Sequence, residues 1–149
     1  YELMDLIHEL KLNNQVHFAH EKFSQGLTGG TRNGLYTLSD AYAHARACTY
    51  FSTYEGFGNA FVEAVLSQTP IFVNNYKPVF WPDIGSKGFR TVMLEDNLLT
   101  GEKVEQMKEV IYDERLNREI GEHNHRLGRK YFSFEVLDQK LRQLLSRFS

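Results

Sequence analysis

The segment that most constrains the fold of this chain is EGFGNAFVE, residues 55–63, in which two carboxylates stand eight positions apart around two glycines. Residues 49–52 (TYFS), just before it, have the β-branched and aromatic side chains of a strand, and an apolar-rich run continues past it to Leu66. The order is therefore a strand, a tight turn and the start of a helix. In an open α/β sheet, such a turn lies at the edge where ligands bind.

The rest of the chain alternates between strand and helix patterns in the same way. Compact apolar runs predict strands at residues 16–19, 49–53, 70–74 and 91–94. Helical spacing of apolar residues predicts helices at residues 2–12, 40–47, 59–68, 101–112, 115–131 and 134–148. We expect Ser39 to cap the second of these helices, and residues 75–90 to be irregular. The alternation predicts an α/β fold, a Rossmann-like parallel sheet flanked by helices, in one domain.

Composition excludes several classes of protein. The net charge of −2 is spread over interspersed acids and bases, so no basic stripe indicates a nucleic-acid partner. No apolar run approaches the roughly 20 residues of a membrane-spanning helix, so no transmembrane segment is expected. Cys48 is the only cysteine, and a buried structural thiol in a reducing cytoplasm is the simplest interpretation. The chain begins without Met inside a helical pattern, and we interpret it as part of a longer protein.

The chemistry of residues 55–63 suits a phosphorylated sugar. Gly56 and Gly58 let the backbone pass close to a ligand, and a helix that opens near Asn59 points free N–H groups and a positive dipole outward, as a phosphate requires. A carboxylate at Glu63, about one turn into that helix, can accept two hydrogen bonds from a vicinal diol such as that of ribose. Glu55 would face whatever lies beyond the phosphates. The alternatives are a surface turn with solvated acids and, in principle, the acid pair of a hydrolase.

The histidines do not predict a metal site. His17 and His20 are three positions apart about a strand end, and His123 and His125 are two apart within a helix. Neither spacing places two imidazoles together on one face. No metal is therefore expected.

Two loops could meet a ligand. Residues 24–34 are rich in glycine but lack the order of a P-loop or a dinucleotide fingerprint, so we expect a mobile connection that reaches over a ligand. Trp81 could stack on a sugar or base, or fill the core beneath an irregular loop. Asp83 could cap a short helix or contact a ligand.

Together these features resemble the C-terminal, donor-binding half of retaining glycosyltransferases with the GT-B fold, family 4. The core of the resemblance is the E-x7-E motif at residues 55–63. Flanking segments agree with the family in order and spacing: residues 16–18 (VHF), 39–45 (SDAYAHA), 52 (S), 70–73 (PIFV), 83–84 (DI) and 131–135 (YFSFE). The resemblance covers nearly the whole chain.

The resemblance implies that the donor substrate is a nucleotide-diphosphate sugar and that no cofactor is used. By analogy, Glu63 binds the ribose of the nucleotide, and Glu55 contacts the transferred sugar and is the catalytic residue. The residues implied to meet the donor sugar and diphosphate are Glu55, Gly56, Phe57, Gly58 and Asn59. Retaining members are generally thought to lack an enzyme nucleophile, so electrostatic stabilisation of the diphosphate and of the oxocarbenium-like sugar would carry the rate.

The chain departs from the family pattern in places. Arg46 stands where the family usually has Asp, Phe51 where it often has Pro, and Gln68 where Gly is common, and we expect these changes to affect the scaffold. Family domains also begin with two strands and a glycine-rich loop, near which an Arg and a Lys grip the donor phosphates. This chain starts at the helix that follows them.

We therefore interpret residues 1–149 as a partial donor-binding domain whose C-terminal helices begin at about residue 115, inactive alone because an N-terminal domain binds the acceptor. We also expect the strands at 16–19 and 49–53 not to pair directly, because the first family strand lies between them. Two other functions remain open. One is a GT-B phosphorylase that uses inorganic phosphate and needs no ribose contact at Glu63. The other is a non-catalytic α/β binding module.

Overall fold

The computed structural model describes residues 2–18, 36–76 and 78–147. The chain divides into two compact units, Tyr1–Ala41 and Tyr42–Ser149. The second unit contains the sheet and the motif at residues 55–63. Loop residues 24–34, for which we predicted a mobile connection over a ligand, lie outside the described part of the chain.

The described helices and strands follow the predicted alternation. The strands are β1 (Cys48–Tyr50), β2 (Ile71–Asn74) and β3 (Met93–Leu94). The helices are α1 (Glu2–Glu9), α2 (Leu38–His44), α3 (Asn59–Leu66), α4 (Phe80–Asp83), α5 (Gly101–Tyr112), α6 (Glu114–Phe132) and α7 (Phe134–Leu145). A 3₁₀ turn, Gly85–Lys87, follows α4.

The strands form one parallel sheet in the order β1-β2-β3. Cys48 is paired with Ile71, and Val73 with Met93, so β2 is the central strand of the three. The predicted α/β class with a parallel, Rossmann-like sheet is confirmed. All three carboxyl ends therefore meet at one edge of the sheet, where the turn before α3 begins.

Residues 16–18, predicted to be a strand together with Ala19, have no strand structure, so this prediction is wrong for them; Ala19 lies outside the described residues. A strand is stable only when a neighbour accepts its backbone hydrogen bonds, and no described segment pairs with residues 16–18. The expected separation of this strand from the one at 49–53 stays a prediction.

The N-cap of α2 is Thr37 and not Ser39 as predicted. The Thr37 hydroxyl accepts a hydrogen bond from the Asp40 amide at 3.2 Å, and the Asp40 carboxylate accepts from the Thr37 amide at 2.8 Å. This is a capping box, which requires an acidic or amide side chain three positions after the cap. Thr37 has that partner in Asp40, so the helix begins one residue before Ser39.

Residues 75–90, predicted to be irregular, instead contain α4 and the 3₁₀ turn. Phe80 and Ile84 are fully buried, and their packing gives this segment its ordered turns. They join α3 and the α3-facing residues of β2 in the larger core cluster: Phe61, Ala64, Val65, Ile71, Val73, Tyr76, Phe80 and Ile84.

Cys48 is only half-buried against this cluster, less than predicted, and burial raises the pKa of its thiol.

The opposite face of the sheet carries a second core. Phe72 points away from its strand neighbours in β2 and packs with Val92, with Val110 of α5 and with Ile120 of α6. The sheet is thus covered by α3 on one face and by α5 and the start of α6 on the other. Among the described residues, no helix is long and apolar enough to cross a membrane.

Two of the departures from the family pattern serve the scaffold. The Arg46 guanidinium donates to the Ile111 carbonyl at 2.7 Å and 3.2 Å, and so binds the end of α5, where a cation is favourable. Gln68 has φ of +61°, a left-handed conformation that glycine adopts most readily. A glycine at this position would therefore be less strained than Gln68.

Asn124 of helix α6 is fully buried and forms hydrogen bonds to the segment before β3. Its amide nitrogen donates to the Arg90 carbonyl at 2.7 Å, and its amide oxygen accepts from the Arg90 N–H at 2.8 Å. Both histidines of α6 also bond to backbone: His123 lies 2.9 Å from the Gly88 carbonyl and His125 lies 2.9 Å from that of Leu66.

Asn124→Ala is expected to lower the free energy of unfolding by about 2 kcal/mol, because both backbone groups of Arg90 lose their partner in a poorly solvated site. Urea unfolding measures the loss. The control is Glu122→Ala, an exposed change on the same helix that should stay within about 0.5 kcal/mol of the wild type. Equal unfolding midpoints for the two variants would contradict the assignment.

Candidate functional site

The turn between β1 and α3 ends in Gly58, which has φ of 102° and ψ of 55° and occupies the N-cap position of α3. Glycine has no side chain with which to cap the helix. The first two amides of α3, those of Asn59 and Ala60, therefore have no intrahelical acceptor and no N-cap side chain. Together with the helix dipole, they can bind an anion at this edge of the sheet.

The two glycines of the motif differ in what surrounds them. A Cβ placed on Gly58 would lie 2.2 Å from the hydroxyl oxygen of Tyr76, whereas one on Gly56 would meet no atom within 4 Å. The Tyr76 hydroxyl also donates to the Phe57 carbonyl at 3.3 Å. Gly58 is thus required by close packing beneath the turn, and Gly56 leaves open space on its outer side.

Each carboxylate of the motif lies near a tyrosine hydroxyl. Burial, a hydrogen bond to Glu55 and its negative charge raise the pKa of Tyr50 well above its usual value. Burial, followed by the charge of Glu63 and a hydrogen bond to it, raises the pKa of Tyr42 to about 12. Each tyrosine is therefore a protonated donor to its glutamate at neutral pH. An ionised carboxylate can accept about four hydrogen bonds, so each glutamate retains capacity for ligand hydroxyls.

Glu63 and Asn59 open onto a groove of about 440 Å³ beside α3, whose far wall is the junction of α6 and α7. Arg129 and Glu135 lie on that wall, with 3.4 Å between their charged groups. Glu63 is thus partly buried but reachable from solvent.

The end of α6 also supports the turn. The Phe57 ring packs edge-on against Phe132, with ring centroids 5.6 Å apart, and Phe132 stacks on Phe89 at 6.0 Å. Phe89 in turn contacts Phe61 in the core at 5.1 Å. A chain of aromatic contacts therefore connects the turn to the interior.

The two candidates in the α4 segment are placed differently from expectation. Trp81 is 61% exposed, so the prediction that it fills the core is wrong; stacking on a ligand stays a prediction. Asp83 is the last residue of α4, whose N-cap is Val79, so it does not cap this helix. Its charge contributes, after burial and the charge of Glu55, to the raised pKa of Tyr76.

Among the residues that the structure describes, no three His, Cys, Asp or Glu side chains are grouped to hold a metal ion.

Sequence reasoning missed the three tyrosines and Phe132. Tyr50 ends β1 and Tyr76 follows the end of β2 by two residues, so both lie where carboxyl ends of neighbouring parallel strands meet. Their position near the ends of strands could have indicated that both lie close to the site. Tyr42 and Phe132 lie on helices distant in sequence from the groups they contact, and no local pattern indicates them.

Fold and site together define an α/β unit with an acid-flanked glycine turn at the carboxyl edge of a parallel sheet. No protein-family model matches the chain. It is similar to a curated protein named mannosylglucosylglycerate synthase from Thermotoga maritima, with 32% identity over 112 residues, covering 67% of this chain and 26% of that protein. A protein of the same name from Petrotoga mobilis is 45% identical over 60 residues, covering 40% of this chain and 14% of that protein.

These similarities relate the chain to glycosyltransferases. The matched part spans about a quarter or less of the length of the curated relatives.

Proposed function

We propose that this chain is the donor-binding half of a retaining glycosyltransferase of GT-B fold, family 4. It binds a nucleotide-diphosphate sugar and, within the longer protein, transfers the hexose to an acceptor with retention of anomeric configuration. The observation that carries the proposal is the uncapped start of α3, within the motif that begins at Glu55 and ends at Glu63, at the carboxyl edge of a parallel sheet. The similarity to two mannosylglucosylglycerate synthases supports it.

Each part of the turn has a role in this proposal. The amides of Asn59 and Ala60 bind the diphosphate, and the open space beside Gly56 admits the sugar. Glu63 accepts hydrogen bonds from the ribose diol, and Glu55 accepts them from hydroxyls of the transferred sugar. No cofactor is part of the proposal.

Catalysis would then be electrostatic. The departing diphosphate gains negative charge, which the helix amides and dipole stabilise, while the Glu55 carboxylate stabilises the positive charge that develops on the sugar. The Tyr50 hydroxyl, which stays protonated at neutral pH, is placed to donate to the Glu55 carboxylate before the reaction. In the proposal, the acceptor is bound by an N-terminal domain beyond this chain, and the protein is cytoplasmic.

Glu63→Gln in the full-length protein is expected to weaken nucleotide-sugar binding by about 10-fold, because the ribose loses a charged acceptor. Titration calorimetry with UDP-, GDP- and ADP-mannose measures the affinity; the mannosyl group is chosen from the name of the relatives. The control is Glu122→Gln on the exposed face of α6, which should bind like the wild type.

The other outcomes separate the competing functions. Binding that Glu63→Gln leaves unchanged removes the ribose assignment. Sugar release that depends on inorganic phosphate identifies a phosphorylase. A wild-type protein that binds none of the three nucleotide sugars and releases no sugar with inorganic phosphate favours a non-catalytic module.

A further inference from the structure

Tyr76 is fixed to rigid elements on both sides. Its amide donates to the Asn74 carbonyl at the end of β2 at 2.9 Å, and its carbonyl accepts from the Phe80 amide at the start of α4 at 3.0 Å. Its side chain is 0% exposed. Its ring meets the Tyr50 and Phe80 rings edge-on, with centroids 6.0 Å and 5.1 Å apart. The hydroxyl group at the end of that ring therefore has a well-defined position.

That hydroxyl contacts the turn at two points. It donates to the Phe57 carbonyl at 3.3 Å, and it occupies the space that a side chain on the next residue, Gly58, would need. Burial, and then the negative charges of Glu55 and Asp83, raise the pKa of Tyr76 to about 12, so the hydroxyl remains a donor at neutral pH. One buried atom thus fixes both the direction of the Phe57 carbonyl and the path of the chain at Gly58.

We propose that Tyr76 is a positioning residue that holds the Phe57–Gly58 backbone in the geometry that binds the sugar-diphosphate part of the donor. The assignment rests on the proposed function, since it concerns the same turn. Tyr76 acts through the backbone and does not touch the ligand.

Tyr76→Phe in the full-length protein tests this role, because it removes one oxygen and leaves the ring contacts in place. The ligand is whichever of UDP-, GDP- and ADP-mannose the wild-type protein binds. We expect its affinity to fall roughly fivefold, as loss of one buried hydrogen bond predicts. The affinity for the corresponding nucleoside monophosphate should change less than about twofold, because its ribose contact at Glu63 is independent of the turn. The control is Tyr54→Phe, a 79% exposed tyrosine in the same segment, which should match the wild type.

A general structural role predicts a different pattern. If Tyr76 only stabilises the fold, both affinities fall together or neither falls, and either result overturns the proposal. Should Tyr76→Phe fold poorly, both affinities are measured at a temperature where circular dichroism shows the variant to be folded, and a loss confined to the nucleotide sugar is still required. Wild-type protein that binds no nucleotide sugar overturns the proposed function itself.

Discussion

Gly58→Ala is expected to lower the free energy of unfolding by roughly 3 kcal/mol, because alanine at φ of 102° is strained and its Cβ would lie 2.2 Å from the Tyr76 hydroxyl oxygen. Either Tyr76 leaves its place or the turn moves outward. In both cases the amides at the start of α3 shift, and a displacement of about 1 Å can reduce the proposed transferase activity on the order of 100-fold. Urea unfolding and steady-state kinetics of the full-length protein measure the two effects.

The matched control for Gly58 is Gly56→Ala, two residues earlier in the same turn. Its Cβ would meet no atom within 4 Å, so the free energy of unfolding should change by about 0.5 kcal/mol or less. The double variant Gly58→Ala with Tyr76→Phe should recover part of the lost stability, because the overlap with the hydroxyl is removed while the backbone strain remains. If Gly58→Ala unfolds at the same denaturant concentration as Gly56→Ala, the packing described for this turn is wrong.

Gly121→Ala should lower the free energy of unfolding by about 3 kcal/mol, since its Cβ would lie 2.3 Å from the Gln68 carbonyl oxygen. That oxygen belongs to backbone that cannot rotate away: Gln68 is left-handed, and its amide is bonded to Val65 in the last turn of α3. Relief of the overlap would require α6 to move away from α3 along their contact. Thermal and chemical unfolding of the variant measure the loss.

Gly128→Ala, two turns later on the same helix, is the control for Gly121. Its Cβ would approach only the side-chain ends of Val65 and Leu66, at 3.1 Å and 3.3 Å, which can adjust. Alanine also gains up to about 1 kcal/mol of helix propensity over glycine, so the net change should be small. A Gly121→Ala variant as stable as Gly128→Ala would show that the two helices are not packed as closely as described.

Elements with a long periodic pattern were predicted well. Helix α5 has the predicted bounds, and α3 and α6 differ by one or two residues at their ends, because each carries several apolar positions that packing reinforces. Errors occurred where stability depends on a partner. Residues 16–18 have strand composition but no described neighbour to pair with, and the cap of α2 moved to Thr37 because only Thr37 has an acid three residues later. The segment after β2 is ordered because Phe80 and Ile84 are buried, although its prolines and glycines indicated an irregular loop.

The sequence by itself determined the α/β alternation and the acid-flanked glycine turn of residues 55–63, since periodicity and glycine spacing are local properties of the chain. Only the tertiary structure decided what holds that turn. Tyr42, Tyr76 and Phe132 reach residues 55–63 from other segments of the chain, so their contacts exist only after the sheet and α6 have packed. The same packing distinguishes Gly58, which a buried hydroxyl forces to be glycine, from Gly56, which faces open space.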